Sequence, residues 1–490
     1  MGEDQGTLFS PEYNRSIHVE ARPERLSSDG GALLLRELME RLGYSSLFRK
    51  HLSDPRDRTR VTHPFQELLR TILLLQAQGW SDHIDVERLR QDPIYRLAVS
   101  NRRTQRPLRE AEGREPEGLC SQPTLSRLLG TLGDEENRAG LGAVLREASL
   151  RRMGLRRGMR VAELTLDMDS LPQEVFGHQP GSEWNGHYRI RCYHPLVVRS
   201  EWGDYLGARL REGNVHTADG GLEFVLPILR WLARYVERLW LRIDAGFPEP
   251  MLLSALEAED FRYLARLRSN ATLERLAAPF LKRPPGRPPA EGRLWLHELK
   301  YRAGSWSQSR RVVLVVVERA GEQGHLFLDH FFLLTNASTE EMSAEALLAH
   351  YRQRGIAEKD LGEWNQALEL SLSSSPRPKT HYRGRLIDRA YEEPDCFAAN
   401  EARLLLSLIA ANLMHAGAAL LDREITARTS RQRFRQLVLR SAARVLLSGR
   451  RITIVIGAAQ SPLWKRWIRE LNQLYPSRGS PGFPALPSPA

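Results

Sequence analysis

The pattern of apolar and polar positions makes the first third of the chain helical. From about residue 33 to residue 100, LLLRELMERLG and PFQELLRTILLLQAQG repeat leucines at steps of three and four, which places an apolar stripe along a helix. Asp29 and Gly30 lie where the first helix should begin, and Gly43 where it should end. A second helical stretch is expected from about 122 to 152.

From Val161 onward, apolar residues recur at every second position. VAELTLDMD alternates as a half-buried strand does, and CYHPLVVR, YLGARLRE and LWLRID predict further strands. A helix from about 218 to 236 precedes the last of these, so the pattern predicts a mixed α/β fold. KRPPGRPP, residues 282–289, predicts a loop because proline removes backbone donors. The β-rich segments after it predict a small inserted sheet, and a helix should follow from 343 to 370.

The C-terminal part should contain a long helix, a basic segment and a tail. The helix should run from about 394 to 421, and its apolar part, LLLSLIAANLMHAGAALL, approaches the length that spans a membrane. Asn412, His415 and many small residues within it favour a buried core helix instead. The segment 423–451 is rich in arginine, ITIVIGAAQ suggests one last strand, and the Pro/Ser/Gly-rich end should be disordered.

Charge and cysteine content suggest the partner and the compartment. The chain has 71 Lys plus Arg against 60 Asp plus Glu, a formal charge of +11, which favours a polyanionic partner such as nucleic acid. Three cysteines without a C-x-x-C pair argue against a disulfide framework and a zinc site, so a cytoplasmic protein is expected. The polar N-terminus resembles no signal peptide. The absence of a Gly-x-x-x-x-Gly-Lys loop gives no reason to expect a nucleotide cofactor.

Two strands end in carboxylates. Asp167 and Asp169 share one face of LTLDMDS, opposite its apolar residues, and Asp244 ends LWLRID. If the strands are neighbours, an aspartate of the first can converge with Asp244 at the edge where open α/β sheets place their sites. Carboxylates in such a group suit hard divalent cations. Taken singly, each aspartate is more simply a cap for a turn or a helix.

A third carboxylate lies on the helix expected from 343 to 370. Tyr351, Arg354 and Glu358 are spaced by three and four residues, which places them on one face of a continuous helix. Gly355 weakens that helix. An ordinary exposed Arg–Glu pair is the alternative interpretation.

Four motifs together resemble a known family. LTLDMDS, GHQPGSEWNGHYRIRCYHPL, LRIDAGF and YRQRGIAE resemble DDE-type insertion-sequence transposases of the thirteen-eighty group, over about residues 28 to 414. The related signature Tyr-x2-Arg-x3-Glu-x6-Lys falls on Tyr351, Arg354 and Glu358, but Asn365 occupies the lysine position. The family also has Ser-Thr after the first aspartate, whereas Leu171 occupies the second of these positions.

The resemblance implies a ribonuclease-H-like α/β core with a β-rich insertion before the last catalytic helix. It implies that Asp169, Asp244 and Glu358 are catalytic and hold two Mg²⁺ or Mn²⁺ ions, and that Tyr351 and Arg354 contact DNA. Asp167 stays the alternative first carboxylate. The implied activity is cleavage of element ends and their joining to target DNA, by a homodimer that binds the terminal inverted repeats and the target. An inactive DNA-binding descendant and a nuclease without joining activity remain alternatives.

These observations divide the chain into six regions. They are a helical DNA-binding or assembly module (1–155), two parts of the catalytic domain (156–280 and 338–422), a β-rich insertion (281–337), a basic helical region (423–473) and a tail (474–490). Two further groups invite a role. Arginines crowd positions 423, 428, 431, 433, 435, 440 and 444, either for DNA phosphates or as a solvated helix face. Histidines 178, 187, 194 and 216 match no zinc spacing, so loop or core positions are expected.

Overall fold

The computed structural model describes residues 7–109, 118–156, 158–175, 179–283, 285, 292–320, 326–368, 370–373, 381–382, 385–386, 396–422 and 428–476. Most of KRPPGRPP lies outside these residues, as do His178, Arg423 and nearly all of the tail predicted to be disordered. The fifteen α-helices of the described residues are α1 (Ala32–Leu42), α2 (Tyr44–His51), α3 (Phe65–Gln78), α4 (Asp85–Leu89), α5 (Pro93–Val99), α6 (Gln122–Leu132), α7 (Glu135–Met153), α8 (Gly221–Leu232), α9 (Pro250–Ala258), α10 (Ala271–Ala277), α11 (Ala344–Arg352), α12 (Arg354–Leu368), α13 (Cys396–Asp422), α14 (Arg431–Phe434) and α15 (Ser461–Leu474).

The helices predicted for the first third are confirmed. α1 ends at Gly43, whose left-handed backbone (φ 77°) lets its N–H donate to the carbonyls of Glu40 and Met39, the usual reason for glycine after a helix. α6 and α7 together match the second predicted helical stretch to within one residue. Among the described residues before 155, the strands are limited to three short pieces, which begin the list that follows.

The described strands are β1 (Thr7–Phe9), β2 (Val19–Glu20), β3 (Leu26–Ser27), β4 (Val161–Ser170), β5 (Gln173–Glu174), β6 (Glu183–Asn185), β7 (Ile190–Tyr193), β8 (Leu196–Ser200), β9 (Tyr205–Arg209), β10 (Val236–Ile243), β11 (Arg262–Leu267), β12 (Arg293–Tyr301), β13 (Arg310–Ala320), β14 (Leu326–Thr335), β15 (His381–Tyr382), β16 (Arg385–Leu386), β17 (Ala443–Ser448) and β18 (Arg451–Ile456). Eight of them form one mixed sheet in the order β12-β13-β14-β11-β10-β4-β8-β9. β10 runs parallel to both β4 and β11, and the other neighbours are antiparallel. The predicted mixed α/β class is therefore confirmed.

Two strand predictions differ from the structure. The segments expected to form a separate small sheet are β12, β13 and β14, and they extend the main sheet because β14 pairs with β11. CYHPLVVR is not one strand but two. β7 and β8 are separated by His194 and Pro195 and belong to different sheets, as expected where a proline cannot donate to a strand ladder.

The two faces of the main sheet carry different layers. On one face, Leu164, Leu166 and Met168 of β4 pack with α8 and α9 in a shared apolar core. On the other, Trp240 of β10 packs with Leu347 of α11. The alternation predicted for β4 and β10 is thus confirmed, and it places the aspartates on the face that α11 and α12 cover.

A second large core joins the helical first third to the C-terminal part. α13 packs against α1, α3, α6, α7 and α15, and residues from Ala32 to Leu471 contribute to this core. α13 is long and apolar enough to cross a membrane, but 89% of its most apolar window is buried in the protein. The prediction that this segment is a buried core helix is confirmed.

The region 423–473, predicted to be helical, is only partly so. Arg431–Phe434 is followed by a π-helical turn, Arg435–Leu439, and then by the hairpin of β17 and β18. β17 also pairs with β3, which ties the two ends of the chain together. The last strand was predicted correctly, whereas β17 was missed because the arginine-rich composition masked its alternation of buried and exposed residues.

Candidate active site

Asp169 and Asp244 lie at one edge of the main sheet. β4 and β10 are parallel neighbours, with Asp167 opposite Arg242 in the register, so the carboxyl ends of both strands meet there. Asp169 Oδ1 accepts a hydrogen bond from Ser170 N at 2.9 Å. Asp244 Oδ1 accepts one from Gly246 N at 2.8 Å, which fixes the turn after β10. The structure therefore brings these two predicted residues together.

The surroundings of Asp169 disfavour its charged form. Burial raises the pKa of this carboxyl to about 6, with further upward contributions from the negative charges of Asp244 and Glu358. The Arg354 guanidinium opposes this change because its Nη2 donates to Asp169 Oδ2 at 2.6 Å. Asp244 and Glu358 thus both act electrostatically on Asp169. Perturbed acids in a cleft are common at catalytic sites.

The helix expected to be continuous through Tyr351, Arg354 and Glu358 is broken at Gln353, between α11 and α12. Arg242 Nη1 donates to the carbonyl of His350 at 2.7 Å and to Gln353 Oε1 at 3.2 Å, on either side of the end of α11 at Arg352. This side chain from a distant strand, beside the weak helix former Gly355, accounts for the break. The predicted single helix was wrong.

The break still leaves the predicted helical residues at the site. Arg354 is 3% exposed and its Nη1 also donates to the carbonyl of Met168, which attaches the start of α12 to the end of β4. Glu358 lies one turn further, with 63% of its side chain exposed and Oε1 3.6 Å from Arg354 Nε. Burial raises the pKa of Tyr351, and the charges of Asp244 and Glu358 raise it further. The positive charges of Arg354 and Arg266 oppose this rise in the pKa of Tyr351.

Asp167, the alternative first carboxylate, has a different environment. It is 2% exposed, and its two oxygens accept from Arg242 Nε at 2.8 Å and Nη2 at 2.9 Å. Arg199 Nη1 lies 3.7 Å from Asp167 Oδ2. A carboxylate held in this way by two buried guanidiniums is an internal ion pair. Sequence reasoning missed both arginines, although each lies in an apolar strand, on the face that carries the acids.

An open cleft of about 510 Å³ borders Asp244. Tyr188 and His194 line it, and the pKa of Tyr188 is raised by burial and by the charges of Asp169 and Asp244. His194 is buried and its Nδ1 lies 3.3 Å from the carbonyl of Val215. The predicted core position of a histidine is confirmed for His194, and His187 is exposed in a turn.

Asp169, Asp244 and Glu358 offer only carboxylate oxygens, which are the ligands that hard divalent cations prefer. The oxygens of Asp169, Asp244 and Glu358 are spaced more widely than the ligand atoms of a second group of side chains. Among the described residues, the three side chains whose ligand atoms all lie within 4.8 Å of one another are His216, Asp219 and Glu249, which are exposed. His216 borders the same cleft as Asp244. The spacing of histidines along the sequence did not predict this group.

The arginines of the C-terminal segment are divided between the protein interior and its surface. Arg428 donates to Asp360 at 3.0 Å, Arg435 to the carbonyl of Ala77, and Arg431 lies 3.6 Å from Glu363. Arg440 and Arg444 lie beside Asp29 and Glu24. Arg431 is buried and Arg435 half-buried, whereas Arg428, Arg440 and Arg444 are exposed. For these three, a surface for DNA phosphates or a solvated face stays a prediction. Arg433 is exposed on α14.

Comparison with known proteins identifies the family to which the chain belongs. No curated protein matches the chain. Residues 9–475 match the family described as transposase DDE domain group 1, which covers nearly the whole chain and includes all the residues of the site. The chain therefore belongs to the transposase DDE domain group 1 family.

Proposed function

We propose that this chain is a DNA transposase that cuts the ends of its element and joins them to target DNA. One observation carries the proposal: Asp169 and Asp244 end adjacent parallel strands, and Arg354 holds the helix that bears Glu358 against the same edge. Family membership supports the substrate class, and the basic charge of +11 favours DNA as the partner. A ribonuclease-H-like core is part of the proposal, supported by the central parallel pair and the helix that carries the third acid.

In this proposal, Asp169, Asp244 and Glu358 hold Mg²⁺ or Mn²⁺. Two such ions would supply activation of the attacking oxygen and stabilisation of the leaving oxygen. Arg354 and Tyr351 would contact the phosphate, for which a planar guanidinium offers a bidentate fork. Asp167 is not part of the set, because Arg242 occupies both of its oxygens.

The reaction has two displacements at phosphorus. In the first, the oxygen of water bonds to phosphorus, the bond to the 3′ oxygen breaks, and that oxygen takes up a proton as a 3′ hydroxyl. In the second, this hydroxyl attacks a phosphodiester of the target, loses its proton and displaces the 3′ oxygen of the target strand. Two element ends must be handled together, so a homodimer on DNA is proposed, acting in the bacterial cytoplasm.

The test uses donor DNA that carries the element ends, a target plasmid, and Mg²⁺ or Mn²⁺. We expect joined product from the wild type. Asp169→Asn, Asp244→Asn and Glu358→Gln should each reduce cutting and joining by more than about 100-fold, because even the outer partners of metal ligands are worth 10–100-fold. Asp260→Asn and Glu345→Gln make the same changes at exposed acids and should leave both rates unchanged.

Each other outcome has a distinct meaning. Cutting without joining would support the nuclease, and a shifted but uncut DNA would support the inactive binding protein. Joining at the native rate by Asp244→Asn or Glu358→Gln would refute the assignment of the site.

A further inference from the structure

We propose that Arg242, paired with Asp167, positions the start of α12 and thereby sets where Arg354 and Glu358 lie. This inference concerns the site of the proposed transposase and therefore rests on that proposed function. In this role, neither Arg242 nor Asp167 needs to contact DNA or a metal ion. Arg242 is a positioning residue that acts through Gln353 and the helix break.

The first step is the contact between strand and helix. The Arg242 guanidinium uses Nε and Nη2 for the two oxygens of Asp167 and has Nη1 left for α11. Nη1 donates to the carbonyl of His350 at 2.7 Å and to Gln353 Oε1 at 3.2 Å. One side chain on β10 thus fixes β4 and the end of α11 together. A lysine could not make these contacts at once, because its charge is a single point.

The second step is a series of buried ion pairs that connects Asp167 with α12. Asp167 also faces Arg199 of β8, at 3.7 Å from Nη1. Arg199 Nη2 in turn donates to Asp360 of α12. Asp167, Arg199, Arg242 and Asp360 are each at most 2% exposed. Buried ion pairs of this kind hold one arrangement because any other leaves a charge without a partner.

The third step is the connection between the Asp167–Arg242 pair and the residues of the proposed active site. Gln353 immediately precedes Arg354, which binds Asp169 and the carbonyl of Met168. Glu358 follows one helical turn later. Gly355 makes this turn intrinsically weak, so its direction depends on the contacts made at Gln353. A displacement of about 1 Å in a catalytic group can lower a rate by about 100-fold.

The test removes the pair without stranding a buried charge. Asp167→Val/Arg242→Met replaces both members by apolar residues, and Arg199 keeps Asp360. The matched control is Glu163→Val/Arg238→Met, which removes the exposed pair that lies opposite in the register of the same two strands. We expect the first variant to shift DNA as the wild type does, but to cut it about 100-fold more slowly. The control should cut normally.

A second measurement does not depend on activity. Hydrogen exchange of the metal-free protein should become faster at the amides of residues 353–358 in Asp167→Val/Arg242→Met and stay unchanged in the control. Arg242→Lys should give smaller changes in both readouts. If the pair variant unfolds globally, Arg242→Lys decides by the same two measurements.

The outcomes separate this inference from the proposed function. Native cutting and native exchange in Asp167→Val/Arg242→Met, with an active wild type, would overturn the inference alone. An inactive wild type would count against the proposed function, and the exchange of residues 353–358 would still decide whether Arg242 positions α12.

Discussion

Asp169 and Arg354 show how two residues control the charge at the edge of the sheet. Arg354 is anchored by the carbonyl of Met168 as well as by Asp169. Its positive charge lowers the pKa of Asp169, yet burial outweighs it and leaves that pKa at about 6. A proton on Asp169 therefore competes with any cation that the carboxylate binds, in a pH range close to neutrality.

The raised pKa predicts how stability depends on pH. Between the ordinary value of 3.8 and the folded value of about 6, the folded protein holds a proton on Asp169 that the unfolded chain has lost. The stabilisation from this proton is complete below pH 3.8 and is lost as the pH rises through 6. Relative to Asp169→Asn, the wild type should lose up to about 3 kcal/mol of unfolding free energy over this range.

Urea denaturation of both proteins in EDTA, from pH 4 to pH 7.5, measures this difference. A difference that does not vary with pH would show that Asp169 ionises normally. Glu345→Gln changes an exposed acid of α11 and serves as the control.

The sequence predicted where the carboxylates lie better than it predicted the residues that pair with them. Alternation in LTLDMDS and LWLRID placed Asp167, Asp169 and Asp244 on the correct face. It could not separate Asp167 from Asp169, because the difference lies in Arg242 and Arg199, which are 75 and 32 residues from Asp167 (242 − 167 and 199 − 167). Side-chain pairing across a sheet depends on register, which the pattern of one strand does not contain.

At the scale of elements, three predictions differ from the structure, two of them because of contacts distant in sequence. The continuous helix, the single strand CYHPLVVR and the separate small sheet were each expected from local pattern. Partners distant in sequence changed the first and the last: Arg242 at the helix break and β11 for β14. CYHPLVVR is divided at Pro195, and β7 pairs with the nearby strands β5 and β6. Periodicity predicted which elements form, and tertiary contacts determined where they end and what they join.

The start of α1 offers a test of one such contact. The N–H groups of Gly30 and Gly31 donate to the carbonyls of Ser441 and Leu439, and a methyl group on Gly31 would lie 2.4 Å from Leu439 Cα. Gly31→Ala should therefore cost about 1–3 kcal/mol of stability, as overpacking does. Gly130→Ala in α6 has no heavy atom within 4 Å of the added carbon and should be neutral or stabilising.

Thermal unfolding of the two glycine variants beside the wild type provides the measurement. Equal melting temperatures for Gly31→Ala and Gly130→Ala would contradict the close approach of the two segments.

At the scale of the whole molecule, the helical first third is not self-contained. Its core is completed by α13, α14 and α15, and β3 joins the hairpin of β17 and β18. The main sheet lies between these parts in the sequence. The spacing of the leucines predicted the helices of the first third but not this shared core, because apolar stripes do not specify which helix covers them.

A fragment of residues 1–155 should therefore fail to fold independently. We expect helical circular dichroism without a cooperative thermal transition, together with binding of a hydrophobic dye, because the face covered by α13 is exposed. Co-expression with residues 396–476 should restore a cooperative transition. A sharp transition and slow amide exchange in the fragment alone would contradict the prediction.

The shared core has a consequence for synthesis of the chain. α7 ends at Met153 and α13 ends at Asp422, a separation of 269 residues (422 − 153). At about 5–20 residues per second, the helices of the first third are synthesised roughly 13–54 s before the last residue of α13. During that interval their leucine-rich face has no partner from its own chain. A nascent protein built in this order needs either chaperone binding at the exposed face or slow condensation of the early helices until α13 arrives.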